Sequence, residues 1–346
     1  MNSRFKNISI LGLALICVSA VLSSAQTGTI PEGYFTVNIA AGTGTARTLS
    51  NISFPLQGIA TASGQMVGTV TAITSNTITN SNAGWIAGQL SQVATPYLLQ
   101  FTSGAASGRT FLLSTTTANT ATTLTLDSSE TTDLTTLGII VGTDTYQIIP
   151  ADTISSLFGT PATTGILGGS IPSAADQIQL LVGGVWIGYY YNTTSGWLQV
   201  GPSIPSGTVV IRPDAAVLYT RLAATPVSLI LFGRAPSIAR KALVSNSSVT
   251  YLSNYWPVGV TLANSKIQNT PGWAGGSVST ADILQIFTSS NVWLQYYYNG
   301  TDWMRVGPPI NSDNVVIPAG SAVIITKRAS SAGQNILTQP LPYTVF

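Results

Sequence analysis

A chain of 346 residues in which only 7% are charged, 13 basic against 11 acidic, and in which histidine is absent is closed to several chemistries at once. Without imidazole there is no Ser-His-Asp triad, no Cys-His pair and no His-ligated zinc, and the sparse, scattered basic residues form no footprint for nucleic acid. The 45% apolar content with so little net charge argues for a packed core, not for disorder.

The chain opens with Arg4 and Lys6, an apolar run from Ile8 to Leu22, and Ser23-Ser24-Ala25. That succession reads as a secretory signal peptide, residues 1–25, cut after Ala25. The run falls short of the roughly 20 apolar residues that a membrane span needs. Cys17, the one cysteine, lies inside the run instead of at a lipidation point, so the mature chain has no thiol for a disulfide, nucleophile or metal. Removing Arg4 and Lys6 from the 13 basic residues leaves 11 against 11 acidic ones, a mature net charge of about zero. No later stretch is long and apolar enough to cross a membrane as a helix. The expected location is secreted or at the cell surface.

From there the sequence is a series of short β-branched runs broken by Gly, Pro, Asn and Ser, the pattern of strands and turns. Tyr34 to Ile39 alternates as a first strand, and Thr48-Leu49-Ser50-Asn51 leads into Phe54-Pro55-Leu56. Six runs between 65 and 150, beginning at Val67, Thr77, Tyr97, Thr110, Thr122 and Tyr146, suggest a small barrel or sandwich of their own. After the Pro- and Gly-rich stretch from Pro150 to Pro172, two phrases appear that return about a hundred residues later. Trp186-Ile187-Gly188-Tyr189-Tyr190-Tyr191-Asn192 is answered by Trp293-Leu294-Gln295-Tyr296-Tyr297-Tyr298-Asn299, and Trp197-Leu198-Gln199-Val200-Gly201-Pro202 by Trp303-Met304-Arg305-Val306-Gly307-Pro308. The phrase Leu252-Ser253-Asn254 before Trp256-Pro257 resembles Leu49-Ser50-Asn51 before Phe54-Pro55, so the second copy is expected to begin with it. The period is longer than that of common solenoids and propellers, which points to a duplicated β domain. The expected fold is therefore all-β: duplicated β-sandwich or jelly-roll-like units, the first made of 26–64 plus 151–245 and the second of 246–346, with 65–150 as an inserted small β-barrel or β-sandwich domain.

The aromatic hairpin, together with Pro31-Glu32-Gly33-Tyr34 and with Phe101-Thr102-Ser103-Gly104 before Gly108-Arg109, resembles an uncharacterised family of secreted β-rich proteins that occur as paralogues in Verrucomicrobia-related bacteria. The resemblance implies export, β structure and a cell-surface role. It supplies no catalytic residues.

Few residues remain for chemistry. Asp176 and Asp282 recur in both copies just ahead of a strand, where Asp commonly accepts backbone amides. Asp127, Glu130 and Asp133 form an oxygen-rich loop, a weak calcium candidate whose spacing does not match an EF-hand. No catalytic residue, cofactor or firm metal site is expected, and the chain reads as no enzyme. Alternation places Trp186 and Tyr190 on one strand face and Ile187, Tyr189 and Tyr191 on the other. The face carrying Trp186, Tyr190, Trp197, Trp293, Tyr297 and Trp303 is the candidate binding surface for polysaccharide. Strand edges, around Tyr34 to Ile39 and Asn335 to Phe346, are candidates for self-association or for contact with other cell-surface proteins. The expected function is that of a secreted, non-catalytic structural or adhesive protein, with a glycan-binding module as the alternative.

Overall fold

A computed structural model describes residues 32–288, 292–328 and 335–344; the signal-peptide reading, Cys17 and Phe346 lie outside them. Strands occupy 39% of the described residues and helices 7%, and the sheets are antiparallel, so the protein is all-β. Among the described residues no helix is long and apolar enough to cross a membrane.

Two strands come first, β1 (Glu32–Ile39) and β2 (Thr48–Ile52). Seven follow: β3 (Val67–Thr69), β4 (Ala72–Ile73), β5 (Thr77–Thr79), β6 (Tyr97–Phe101), β7 (Thr110–Leu112), β8 (Thr123–Thr125) and β9 (Thr145–Pro150). These seven pair among themselves, as the sheets β3-β9-β6-β7 and β4-β5-β8, around a core that includes Trp85, Phe101, Phe111 and Tyr146. The next group is β10 (Asp152–Thr153), the short helices α1 (Ile154–Phe158) and α2 (Pro161–Thr164), β11 (Gln177–Val182), β12 (Val185–Asn192), β13 (Gly196–Gln199), β14 (Val210–Ile211), β15 (Val217–Arg221) and β16 (Val227–Arg234). The last is β17 (Arg240–Val244), β18 (Val249–Ser253), β19 (Val260–Thr261), helix α3 (Leu262–Ser265), β20 (Ile283–Phe287), β21 (Trp293–Tyr298), β22 (Trp303–Arg305), β23 (Val316–Ile317), β24 (Ala322–Thr326) and β25 (Asn335–Gln339).

The two large sheets run β13-β12-β11-β15-β2 and β22-β21-β20-β24-β18, the same order built from corresponding strands. Two-stranded ladders accompany each, β1-β16 and β10-β14 beside the first, β17-β25 and β19-β23 beside the second. Each large sheet has one face on a core. Tyr189, Trp197 and Tyr219 gather with Phe158 of α1 in one, and Tyr296, Trp303 and Ile325 with Leu262 of α3 in the other. Alternation along β12 and β21 works as the sequence suggests, with Ile187, Tyr189 and Tyr191, and likewise Leu294, Tyr296 and Tyr298, turned to the cores.

The register corrects one correspondence. In Ala216-Val217-Leu218-Tyr219-Thr220-Arg221 and Ala322-Val323-Ile324-Ile325-Thr326-Lys327, Val217 and Val323 hold equivalent places, yet Val217 faces Ile52 and Val323 faces Leu252. Leu252 thus takes the position of Ile52, not of Leu49. Hydrogen bonding agrees, because Ser50 accepts the amide of Ala40 and Thr250 accepts that of Ser245. The shared Leu-Ser-Asn phrase is a coincidence of common residues three positions out of step.

In this register the two large sheets meet almost symmetrically. Ser53 donates its amide to Gly320 O at 2.8 Å and Ser253 donates to Asp214 O at 3.1 Å; Gly320 and Asp214 stand two residues before the equivalent Ala322 and Ala216. Asn51 and Tyr251, equivalent across β2 and β18, are bonded to each other. An isologous contact has this reciprocity, residue i meeting j and j meeting i. The middle region joins the last through Tyr255, whose hydroxyl receives Gln57 and Gln100, and through Gly108, whose carbonyl accepts the amide of Lys241. Gly108 has φ of 87° and no room for a side chain, since a Cβ would lie 2.3 Å from Ala239 O.

Candidate functional site

The aromatic residues named from the sequence fall into different environments. Trp197 and Trp303 are core residues, 6% and 0% exposed. Their indole N–H groups are tied inside, to Gly159 O at 2.9 Å and to Gln268 Oε1 at 3.3 Å. Tyr190 is buried against Ala175 and Leu198. Tyr297 is half-buried, and Trp293 packs into the junction between the large sheets. Only Trp186 opens to solvent, its ring edge-on to Tyr251 at 5.3 Å between centroids. The six therefore form no continuous platform.

The loop acids also disperse. Asp127 accepts from Ser129, and Asp133 caps a turn through Thr135, whose hydroxyl bond chiefly holds its carboxyl below the usual range. Glu130 turns inward to Arg212 at 2.6 Å and to the amide of Leu112. Among the described residues no group of three or more metal-ligating side chains assembles.

Two surface features come from the tertiary structure. The first is the outer face of the β1-β16 ladder. Its cross-strand rows are Glu32 with Arg234, Tyr34 with Phe232, Thr36 with Ile230, and Asn38 with Ser228. The end rows are an ion pair at 2.7 Å and a side-chain hydrogen bond at 2.8 Å. Between them Tyr34, Ile230 and Phe232 are 76%, 70% and 55% exposed, the two rings 5.1 Å apart. The inner face carries Val37, Ile39, Val227 and Leu229 into the core.

The second is a groove where the two large sheets and the middle region meet. A space of about 550 Å³ lies between the Gly183-Gly184 turn, Asp214 and the β17-β18 segment that ends in Tyr251 and Leu252. A smaller one of about 200 Å³ shares Arg212, Asp214 and Leu243 with it and reaches Arg109, Glu130 and Lys241. Arg212 bonds Glu130 and the carbonyl of Thr110, with Asp214 at 3.9 Å. Burial alone would lower the pKa of Arg212, but Asp214 and Glu130 raise it overall. Arg109, over the Phe111 ring, is 4% exposed, and burial lowers its pKa against the pull of Glu130 and Asp214. Its Nη1 has no hydrogen-bond partner among the described residues.

Asp176 and Asp282 prove to be the anchors of two buried ion pairs. Asp176 meets Arg221 at 2.5 Å and also accepts from Leu167 N, Leu222 N and the Tyr219 hydroxyl. Asp282 meets Lys327 at 2.5 Å and accepts from Ala274 N and Arg328 N. The basic partners were legible in principle, because Arg221 and Lys327 end the repeated Ala-Val-x-x-Thr phrase.

No known protein family, no curated protein and no solved structure matches this chain.

Proposed function

We propose that this is a non-catalytic contact protein, exported and structural or adhesive at the cell surface, whose copies associate through the outer face of the β1-β16 ladder. The observation that carries the reading is the exposed Tyr34, Ile230 and Phe232 cluster on a ladder whose other face is core. Exposed apolar patches on rigid sheets mark contact surfaces. A second copy of the same face suits it, because the apolar rows lie between a neutral ion pair and an uncharged polar row, so like charges need not meet. The corresponding ladder, β17-β25, meets the middle region at the edge of β17, where the amide of Lys241 donates to Gly108 O and its Nζ to Ala105 O.

Two changes test this without touching the core. Ile230→Lys and Tyr34→Ser should convert an associated protein to monomers by light scattering and electron microscopy, with the melting temperature little changed. Association that survives both substitutions overturns the reading. The groove acids Glu130 and Asp214 both face Arg212, which lies between them. Release of reducing ends from any polysaccharide by the purified protein would overturn the non-catalytic part.

A further inference from the structure

Laid on each other strand by strand, the two repeated halves differ at one edge. Ala40 and Ser245 hold equivalent places, since each donates its amide to a hydroxyl of the following strand, Ser50 and Thr250. Counting back, Thr36 corresponds to Lys241, Tyr34 to Ala239 and Asn38 to Leu243. Along an antiparallel ladder, residues that bond the facing strand alternate with residues whose N–H and C=O point away. Arg234 exchanges both its backbone bonds with Gln57, at 2.8 and 2.9 Å, and so not with Glu32, which faces it across the ladder. The alternation is thereby fixed. Gly33, Phe35, Val37 and Ile39 bond β16, while the backbone groups of Tyr34, Thr36 and Asn38 point outward from β1. The amide of Ala40, next in the outward series, does turn that way, to Ser50. In the second half Lys241, the counterpart of Thr36, gives its outward amide to Gly108 O at 3.1 Å. A stretch of main chain from the middle region thus lies on this edge of β17. On β1 the same edge is open: among the described residues no backbone carbonyl meets the outward amides of Tyr34, Thr36 and Asn38.

We propose that this open edge pairs with the same edge of a second copy, β1 antiparallel to β1 about Thr36, and so joins face-associated copies into a longer assembly. The inference rests on the reading above for the face contact and adds a second, different one. The occupant follows from the strand itself. Its 8 residues pair without a bulge and include neither lysine nor proline, the usual guards of a free edge. The counterpart strand carries Lys241 where β1 has Thr36. Centred on Thr36, the pairing is self-complementary. Thr36 faces Thr36, Tyr34 faces Asn38, and Glu32 faces Ala40, so no like charges meet and Glu32 keeps its own Arg234. Outward N–H groups then meet outward C=O groups, as in strand addition generally. Tyr34, Thr36 and Asn38 are exposed, so pairing displaces no buried side chain. The outward groups of these residues make only a short ladder, and an isolated pair of strands is marginal in water. The edge therefore acts on copies that the apolar face has already brought together. A copy with two distinct self-complementary contacts passes from neighbour to neighbour in an open chain, unless the two axes close a ring.

Cross-linking of the protein that begins at Gln26, which has no cysteine of its own, tests the register. In the paired edge the two Thr36 Cα atoms stand about 5.5 Å apart, within disulfide reach. Two Asn38 Cα atoms are about 14 Å apart, four residue steps along the strands, and out of reach. Under mild oxidation Thr36→Cys should become a covalent dimer about tenfold faster than Asn38→Cys. Thr36→Pro removes an outward N–H and none that β16 uses, a change an edge strand tolerates, so its melting temperature should stay near that of the wild type. By electron microscopy the wild type should form assemblies larger than dimers, Thr36→Pro discrete dimers, and Ile230→Lys monomers. Equal cross-linking of the two cysteine variants, Thr36→Pro assemblies as large as the wild type's, or a wild type that stops at dimers would overturn edge pairing and leave the face contact standing. Assemblies lost in Thr36→Pro but kept in Ile230→Lys would support the edge and overturn the face contact instead.

Discussion

Asp176 and Asp282 each stand 45 residues before a buried cation and accept backbone amides from two directions. The equal spacing shows one solution used twice, with Arg in one copy and Lys in the other. Removing one partner of a buried pair strands the remaining charge in low dielectric, which costs about 3–5 kcal/mol. Arg221→Met and Lys327→Met should each lower the unfolding free energy by about that much in urea titrations. The aspartates were visible in the sequence as repeated residues at strand starts, and reading them as backbone acceptors is consistent with the amides they bind. Their charge partners were harder to see, because nothing local to Asp176 points 45 residues ahead and the Arg-to-Lys exchange hides the repeat. Asp152 behaves differently. Burial raises its pKa from 3.8 to about 7, so the folded state favours the neutral acid. The associated stability is complete below pH 3.8 and disappears as pH rises through about 7. A pH series of thermal melts should show Asp152→Asn gaining on the wild type towards pH 8, the difference vanishing below the ordinary carboxylate range.

At the scale of strands, periodicity carried the reading well where both faces of a strand could be compared. The alternation in β12 and β21 picks out the residues turned to the two main cores, but it does not reveal that Tyr190 on the opposite face is also buried, against Ala175 and Leu198. It failed for β13 and β22, because the face a second hairpin strand turns inward depends on what packs beneath it. Here those partners are Phe158 of α1 beneath Trp197, and Trp273 with Gln268 beneath Trp303, from segments too short to announce themselves as helices. The consequence is a sharp contrast between tryptophans that look alike in sequence. Trp303→Ala should cost about 3–5 kcal/mol by opening the core, whereas Trp186→Ala should cost about 0.5–1.5 kcal/mol, the worth of its ring pair with Tyr251, as chemical denaturation of the two variants can show. Tyr34 to Ile39 pairs on one side, β1 with β16 along its whole length, as does β25 with β17, and each ladder has two strands, so both remain edge strands among the described residues. What the sequence could not reveal is that the outward rows of β1 and β16 combine into one apolar patch, since the two strands lie almost two hundred residues apart.

For the molecule as a whole, the repeated phrases made a two-part β architecture readable, and the shared strand order of the large sheets is its structural counterpart. The junction between them was not readable. It is made by backbone groups of Ser53, Ser253, Asp214 and Gly320 and by a few side chains such as Asn51 and Tyr251, and no local pattern around them announces that these strands meet. The groove exists only because this junction and the middle region converge, which is why its residues come from five separate stretches of chain. Gly108 shows how tightly that convergence is fitted. Its missing side chain lets one stretch of main chain lie flat on another at residues 239–241, so even a single methyl group would act there as a wedge. The distance between Gly108 and residues 239–241 is thereby gauged by a hydrogen atom, and the seat of the middle region on the last strands inherits that tolerance.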